Sequence, residues 1–271
     1  MSLIKISLKK NLKNTNIKIN DSNFVVLNHW FWDKFFTEKW EPQTVKFFKS
    51  NLEKGRDFLD IGAWIGPTSL IATALGARKI KIIEPNPKSF FHLLAAQLNN
   101  GFFSNWFLVN ACVSKNFGSE IIGPLKGIAN SSSATSIINQ TQGASVLSLK
   151  LSDLILDKDD FSVIKIDIEG AEAYIIDDIS VFSKHSSAIW LSIHPPFFKD
   201  KKNFLKKLFT NSSEFYFVDE NNKIIEENLI STRVLSDEKF PIWGTNWGNF
   251  FEIGLLPKRF FDIFGNRIKT K

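Results

Sequence analysis

Asp57-Phe58-Leu59-Asp60-Ile61-Gly62-Ala63-Trp64-Ile65-Gly66-Pro67 is the stretch on which the reading of this chain turns. Its first five residues have the length and apolar character of a buried strand. The strand breaks at Gly62, and Pro67 opens a helical pattern that runs to Leu75 and closes at Gly76. Gly62 and Gly66 would let a ligand approach the backbone where a Cβ would clash. The N–H groups of the following helix would add a positive end to that site. The dinucleotide fingerprint G-x-G-x-x-G is not met, because Trp64 occupies the place of its second glycine. An acid, Asp60, ends the strand instead, and a carboxylate there suits a cationic or amine-bearing ligand better than a pyrophosphate. Taken alone, the segment also reads as an ordinary βα turn.

Outward from this turn the chain alternates short apolar runs with helical patterns. Residues 79–83 read as a second strand, 88–98 as a helix and 106–109 as a third strand. That rhythm predicts a parallel sheet covered on both faces. The alternation resumes with a strand over 162–168, a helix over 171–182, a strand over 188–193 and a helix over 199–209. Residues 215–218 and 250–255 read as closing strands that could form an antiparallel edge. Between the two halves, residues 128–145 are rich in Ser, Thr, Asn and Gln and read as a long surface excursion. Ahead of the first strand lie a helix over 42–52 and an aromatic cluster, His29-Trp30-Phe31-Trp32, Phe35-Phe36 and Trp40. There is no internal repeat.

The 271 residues suffice for one sizeable core, with 44% hydrophobic and 23% charged residues. That balance excludes disorder. The net charge of +6 would suggest a polyanion partner. Yet residues 1–20 hold Lys5, Lys9, Lys10, Lys13 and Lys18 for +5, and residues 257–271 hold Lys258, Arg259, Arg267, Lys269 and Lys271 against Asp262 for +4. The 236 residues between them are therefore left at −3. Nucleic acid is a secondary expectation, confined to the basic tails. Cys112 is alone, which excludes a disulfide scaffold and a cysteine-based zinc site. No apolar stretch reaches the ~18–20 residues of a membrane span, and the N-terminus lacks the apolar run of a secretory signal, so the expected setting is the cytoplasm.

Three further segments carry candidate chemistry. Glu84, in Glu84-Pro85-Asn86-Pro87, follows Asp60 by 24 residues, where a doubly wound fold places its ribose-binding acid. A carboxylate accepts hydrogen bonds from two vicinal hydroxyls. Asp60 and Glu84 without a phosphate-directed lysine describe a nucleoside that carries positive charge, and S-adenosylmethionine fits. In Val163-Ile164-Lys165-Ile166-Asp167-Ile168-Glu169-Gly170-Ala171-Glu172 a buried strand runs into an acidic turn. Asp167 and Glu169 should face the same cleft as Asp60, although Asp167 as a helix cap, with Glu169 and Glu172 in the first turn, would explain them too. His194, in Trp190-Leu191-Ser192-Ile193-His194-Pro195-Pro196, ends another strand and is the first candidate for a general base, with Asp167 second. Asp167 and Glu169 are also hard-cation ligands in type, but two carboxylates give a divalent metal no further support.

Together these motifs resemble the FkbM type of class I S-adenosylmethionine-dependent methyltransferases. The likeness runs from about Glu41 to His194, on DFLDIGAWIGPTSL, IIEPNP, LKLSDLI, VIKIDIEGAEAYII and SIHPP in that order. It implies an α/β fold, Rossmann-like and doubly wound, with a seven-stranded, mostly parallel sheet and an antiparallel edge strand. Residues 1–50 would be an aromatic-rich extension packing on a methyltransferase domain at 51–271. It implies O-methylation of a sugar, glycan or other small molecule. Asp60, Gly62, Ala63 and Gly66 would line the methionine part, Glu84 and Asn86 the ribose, and Asn110 and Ala111 the adenine. His194, Asp167 and Glu169 would face the acceptor. Three departures stand out. Trp64 takes a position where the family favours a small or polar residue. Ser192 replaces an acid two residues before the histidine, and the helix after Ala171 lacks an Arg-Gly near its end. RNA or protein methylation, or a non-catalytic nucleoside-binding protein of this fold, are the alternatives. Trp243-Gly244-Thr245-Asn246-Trp247 and the aromatic cluster would suit a sugar face or a core, and an exposed aromatic arm would suit contacts between copies of the chain.

Overall fold

The computed structural model describes residues 13–36, 40–124, 135–137, 143–156, 159–185, 187–236 and 250–261. Lys5, Lys9, Lys10, Arg267, Lys269 and Lys271 of the basic tails, most of the polar excursion, and Trp243 to Trp247 lie outside the described residues. The described chain opens on a hairpin, β1 (Asn14–Ile19) and β2 (Ser22–Leu27), turned through Asn20 at φ 52°. Asparagine is among the few side chains that tolerate this left-handed conformation. Helices α1 (Trp30–Phe36) and α2 (Pro42–Asn51) follow. The alternation then runs β3 (Asp57–Ile61), α3 (Pro67–Ala74), β4 (Ile80–Ile83), α4 (Pro87–Asn100) and β5 (Trp106–Val109). Four short strands come next: β6 (Ala111–Val113), β7 (Gly118–Pro124), β8 (Thr135–Ile137) and β9 (Ala144–Leu149). The last stretch is β10 (Phe161–Ile166), α5 (Glu172–Ile175), β11 (Ala188–Ile193), α6 (Lys201–Asn211), β12 (Phe215–Val218), α7 (Glu227–Leu235) and β13 (Phe251–Pro257).

The main sheet has seven strands in the order β12-β13-β11-β10-β3-β4-β5. Its neighbours pair in parallel except at β13, which is antiparallel to both β11 and β12. The antiparallel strand expected at the edge therefore lies one place in, and β12 forms that edge. The order reverses between β3 and β10, so their carboxyl ends frame the crevice where such sheets hold ligands.

Period two along each strand divides the core between the faces. Leu59, Ile61, Ile164, Ile166, Ile189, Leu191 and Ile193 pack on one side with Ile176, Ile179, Phe204 and Leu208. Phe58, Ile80, Ile82, Val163 and Trp190 pack on the other with Phe47, Phe48, Leu70 and Leu93. That second core also takes in Ile17, Phe24, Val26, Phe31 and Trp32 from the hairpin and α1. The Asn100 side chain fastens the hairpin to α4, accepting from Val25 N–H at 2.8 Å and donating to the Val25 carbonyl at 2.8 Å. Of the aromatic cluster, Phe31 and Trp32 are core, Phe35 and Trp40 pack against it, and Trp30 is exposed.

Two expectations change. The helix predicted over 171–182 is the single turn α5 followed by a 3-10 helix over Ile176–His185. Buried Ile176, Ile179 and Phe182 recur every three residues, the period of that tighter helix. Of the surface excursion over 128–145, the described residues 135–137 and 144–145 lie in strands β8 and β9 of a small sheet, β6-β9-β7-β8, rather than in loop.

Candidate active site

The turn after β3 owes its glycines to the protein itself. A Cβ on Gly62 would stand 1.8 Å from the Asp167 carbonyl oxygen, and one on Gly66 would stand 2.8 Å from Leu93 Cδ2. Both residues have positive φ, 80° and 95°. Within the chain they let β3 lie against the end of β10 and α3 against α4. The amides of Gly62 and Ala63 both donate to Ile83 O, and that of Gly66 to Ala63 O. Ala63 is buried, as is Ala111 at the start of β6. Trp64 is left-handed at φ 53°, and its ring packs on Phe31 at 4.7 Å and His29 at 5.4 Å. Its backbone N–H is the amide of this turn that points at the candidate ribose acid.

Glu84 accepts that N–H at Oε2 (2.8 Å) and the Asn86 N–H at Oε1 (2.7 Å). One amide donor on each oxygen leaves each with a further lone pair, the arrangement a vicinal diol needs. Burial pushes the Glu84 carboxyl up to about 8, against the pull of its two amide donors. Asn86 caps α4, its side chain accepting from Lys88 N–H. Asn110 Nδ2 donates to the carbonyls of Glu84 and Pro85 at 2.8 and 3.1 Å. Both asparagines thus hold the Glu84 loop. Asp60 is fully buried, with Oδ2 taking the hydroxyls of Thr68 and Ser69 at 2.6 Å each. Its Oδ1 is buried with no partner, and burial raises its pKa. An orphaned carboxylate oxygen at Asp60 and a half-satisfied carboxylate at Glu84 fit a nucleoside bearing an ammonium group, as S-adenosylmethionine does.

At the end of β10 a lysine that the sequence reading passed over ties the strands together. Lys165 is 4% exposed in an otherwise apolar strand, and its Nζ donates to Gly62 O and Asp167 Oδ2, both at 3.1 Å. Burial alone would raise the pKa of Asp167, but Lys165 and His194 hold it below the usual carboxylate range. His194 sits among three carboxylates. Its Nδ1 is 2.8 Å from Glu172 Oε1, and its Nε2 is 3.6 Å from both Asp167 Oδ1 and Glu169 Oε2. Burial would lower the pKa of His194, yet Glu172, Glu169 and Asp167 push it up to about 10. So raised, the imidazole favours its protonated form at neutral pH, in which the ring has no free lone pair with which to take a proton. Burial pushes Glu169 up to about 7 instead, which places a carboxyl at the edge of ionisation beside the imidazolium. Glu172, which the sequence offered only as a first-turn acid, is the fully buried residue that orients His194 and also accepts from Ile168 N–H at 3.2 Å. Asp167, Glu172 and His194 each have a ligand-type atom within 4.8 Å of the others. The short Nδ1 contact already commits Glu172 to the imidazole.

A second acidic pair had no sequence signal, because its members lie 211 residues apart. Thr44 Oγ1 is 2.8 Å from Glu252 Oε1 and 3.0 Å from Glu41 Oε2, and it accepts from Trp190 Nε1 at 2.9 Å. Ser192 stands directly opposite Glu252 in the β11–β13 pairing. Glu252 thereby supplies from β13 a carboxylate beside the strand position where Ser192 lacks one.

Among the described residues no helix is long and apolar enough to cross a membrane. The family profile described as "Methyltransferase FkbM domain" matches residues 60–220. No curated protein matches. Among solved structures the chain is similar to methyltransferase FkbM from Methylobacillus flagellatus KT, at 17% identity over 68% of this chain and 45% of that one, with a TM-score of 0.45. It is similar to a T. thermophilus 16S rRNA methyltransferase in complex with AdoMet and guanosine, at 11% identity over 90% and 50%, with a TM-score of 0.41. A SAM-dependent methyltransferase from Streptococcus mutans is similar at 12% identity over 92% and 56%, with a TM-score of 0.44. The chain spans about half the length of each of these proteins.

Proposed function

Because the chain belongs to the Methyltransferase FkbM domain family, we propose that it transfers a methyl group from S-adenosylmethionine to a hydroxyl of a sugar or another small molecule. The observation that carries the reading is the His194 clasp, three carboxylates around one buried imidazole at the end of β10 and β11. It lies beside the Asp60 and Glu84 carboxylates that suit the donor. Glu84 would take the ribose hydroxyls and Asp60 Oδ1 the ammonium end. S-adenosylmethionine, when bound, supplies an electrophilic methyl carbon.

The chain's own residues then have two tasks. The first is alignment of the acceptor oxygen, and holding two reactants in line can contribute ~7–11 kcal/mol of barrier lowering. Lys165 fixes Asp167, and Glu172 fixes His194, so this wall of the cleft is set before the acceptor arrives. The second is removal of the hydroxyl proton, which passes to a Glu169 carboxylate oxygen as the new bond forms. The His194 imidazolium stays charged and stabilises the Asp167 and Glu169 carboxylates 3.6 Å from its Nε2. Residues 1–50 act in this proposal as an extension of the 51–271 domain, with Phe31 resting on Trp64 of the cofactor turn.

The test is transfer of tritiated methyl groups to a panel of sugars, lipids, peptides and RNA. Glu169→Gln should lower turnover by ~10²–10⁴-fold while leaving cofactor affinity in place. Unchanged turnover in that variant would remove Glu169 as the base, and transfer confined to RNA or peptide would overturn the acceptor class.

A further inference from the structure

Glu41 and Glu252 lie outside the 60–220 span shared with the family, yet both stand close to its Asp167 and Lys165. Glu41 precedes α2, and Glu252 projects from β13 beside Ser192 of β11. Both interact electrostatically with Asp167 and Lys165. The segment that presents Glu41 also touches the cofactor turn: Phe31 packs on Trp64 at 4.7 Å and on Trp40 at 5.4 Å, and Trp40 is followed by Glu41. The arm therefore spans from the Glu84 side of the cleft to the Glu41 and Glu252 side.

The pair is short of donors. Thr44 has one hydroxyl proton for two carboxylate oxygens, at 2.8 and 3.0 Å. Ser192 Oγ is a marginal 3.5 Å from Glu252 Oε1. The other oxygen, Glu252 Oε2, is buried with no hydrogen-bond partner among the described residues, the nearby Trp190 indole N–H being directed at Thr44. With its carboxyls ionised, the pair would be short of positive charge as well. Asp60, Asp167, Glu169, Glu172, Glu41 and Glu252 share Lys165 and His194 as cations. S-adenosylmethionine adds one net positive charge, and its ammonium is already taken by Asp60 in the reading above. A buried carboxylate without a counter-charge is costly, and evolution normally pairs it or protonates it. A neutral hydroxyl would bring a donor and no charge. An ammonium group brings three donors and the missing charge.

We propose that the methyl acceptor carries an ammonium group, and that Glu41, Glu252 and Thr44 form the subsite that receives it. The inference rests on the methyltransferase reading for the word acceptor, and on the unpartnered Glu252 oxygen and the shared Thr44 proton for the rest. The pocket selects amine-bearing molecules, an amino sugar rather than a plain sugar, and holds their ammonium group apart from the acceptor hydroxyl, which lies against the wall formed by Asp167, Glu169 and His194. Burial pushes Glu252 up to about 7, consistent with a pair that holds a proton until a cation replaces it.

The test follows the Trp190 indole N–H by NMR, since its hydrogen bond ends on Thr44. The full chain is titrated at constant ionic strength with methylammonium chloride and, separately, with methanol, with and without saturating S-adenosylhomocysteine. The expected result is a saturable shift with methylammonium and none with methanol, retained when S-adenosylhomocysteine is bound. Glu252→Gln should weaken that response at least tenfold, and Glu41→Gln, on a different element, should do the same in a chain whose melting temperature confirms folding. An equal response to methanol, a linear response to methylammonium, or a response that survives both substitutions would overturn the proposal. Loss of the response once S-adenosylhomocysteine binds would assign the subsite to the cofactor and overturn it too. Failure of S-adenosylhomocysteine to bind at all would refute the methyltransferase reading separately, because the methylammonium titration reports on the subsite either way.

Discussion

Replacing Glu172 by glutamine tests the electrostatic core of the site. The substitution keeps the shape of the side chain and removes its charge. In the native chain Glu172 Oε1 holds His194 Nδ1 at 2.8 Å, and the histidine is pushed up to about 10 despite its burial. Among the charges that raise it, Glu172 contributes most, ahead of Glu169 and Asp167. A hydrogen bond to a charged group contributes about 1.5–3 kcal/mol. At 1.36 kcal/mol per pH unit, its loss should lower the His194 titration by about 1–2 pH units. The sign is fixed: the imidazolium loses its main stabilising partner, so it deprotonates at lower pH. The assay is an NMR pH titration of the four histidines, with His194 assigned through the His194→Gln variant. His194 should be the histidine that titrates far above neutrality, and in Glu172→Gln it should move down while the others stay. A native His194 that titrates near 6.5, or one that does not respond to the substitution, would refute the clasp as drawn.

Further outcomes follow from other parts of the structure. Glu84→Ala should weaken S-adenosylhomocysteine binding about 10–100-fold by calorimetry, since it removes the acceptor for two hydroxyl donors at about 1.5–3 kcal/mol; undiminished binding would exclude Glu84 from the ribose site. Gly62→Ala should destabilise the fold by about 2–5 kcal/mol in urea, because the new Cβ meets the Asp167 carbonyl at 1.8 Å in a left-handed residue. Gly101→Ala, where nothing lies within 4 Å, should cost only about 1 kcal/mol for its positive φ; equal losses at both sites would remove the packing argument. The ligand-free protein should melt at lower temperature as pH rises from 5.5 to 9. Glu169 and Glu252, raised to about 7, and Glu84, raised to about 8, bind more protons folded than unfolded above their ordinary value of 4.5. The stabilisation from His194 is complete below 6.5 and is lost as pH passes through 10, so it acts in the same direction. A flat or rising profile by scanning calorimetry would contradict these burial effects.

The parallel half of the fold was legible because its signals are local. Asp57–Ile61 stops at Gly62, Trp106–Val109 lies between Asn105 and Asn110, and Ala188–Ile193 ends just before His194-Pro195; each is short and mostly apolar, and their limits matched. Asp60, Glu84, Asp167, Glu169 and His194 were singled out because they lie at or just beyond the carboxyl ends of strands, and strand ends converge in a doubly wound sheet. Their states were hidden because protonation depends on neighbours far apart in sequence: Glu172 reaches His194 across 22 residues, and Lys165 reaches Gly62 across 103. The lysine did leave a trace, as a charge inside the apolar run 161–166, which demands a partner. Glu41 and Glu252 left none, since only the insertion of β13 between β11 and β12 brings them together. The turn itself gave no sign of the close approach of Gly62 to Asp167, a partner on another strand end.

The measurement that bears most directly on the account is a calorimetric titration of the full chain with S-adenosylhomocysteine at pH 7.5, repeated in two buffers of different ionisation enthalpy. Binding at one site per chain is expected, abolished or strongly weakened in Glu84→Ala. The observed heat should differ between buffers, because Glu84, raised to about 8 in the free protein, releases its proton as it accepts the ribose hydroxyls. No binding heat under either buffer, or binding indifferent to Glu84, would contradict the central claim that this cleft is a methyl donor site.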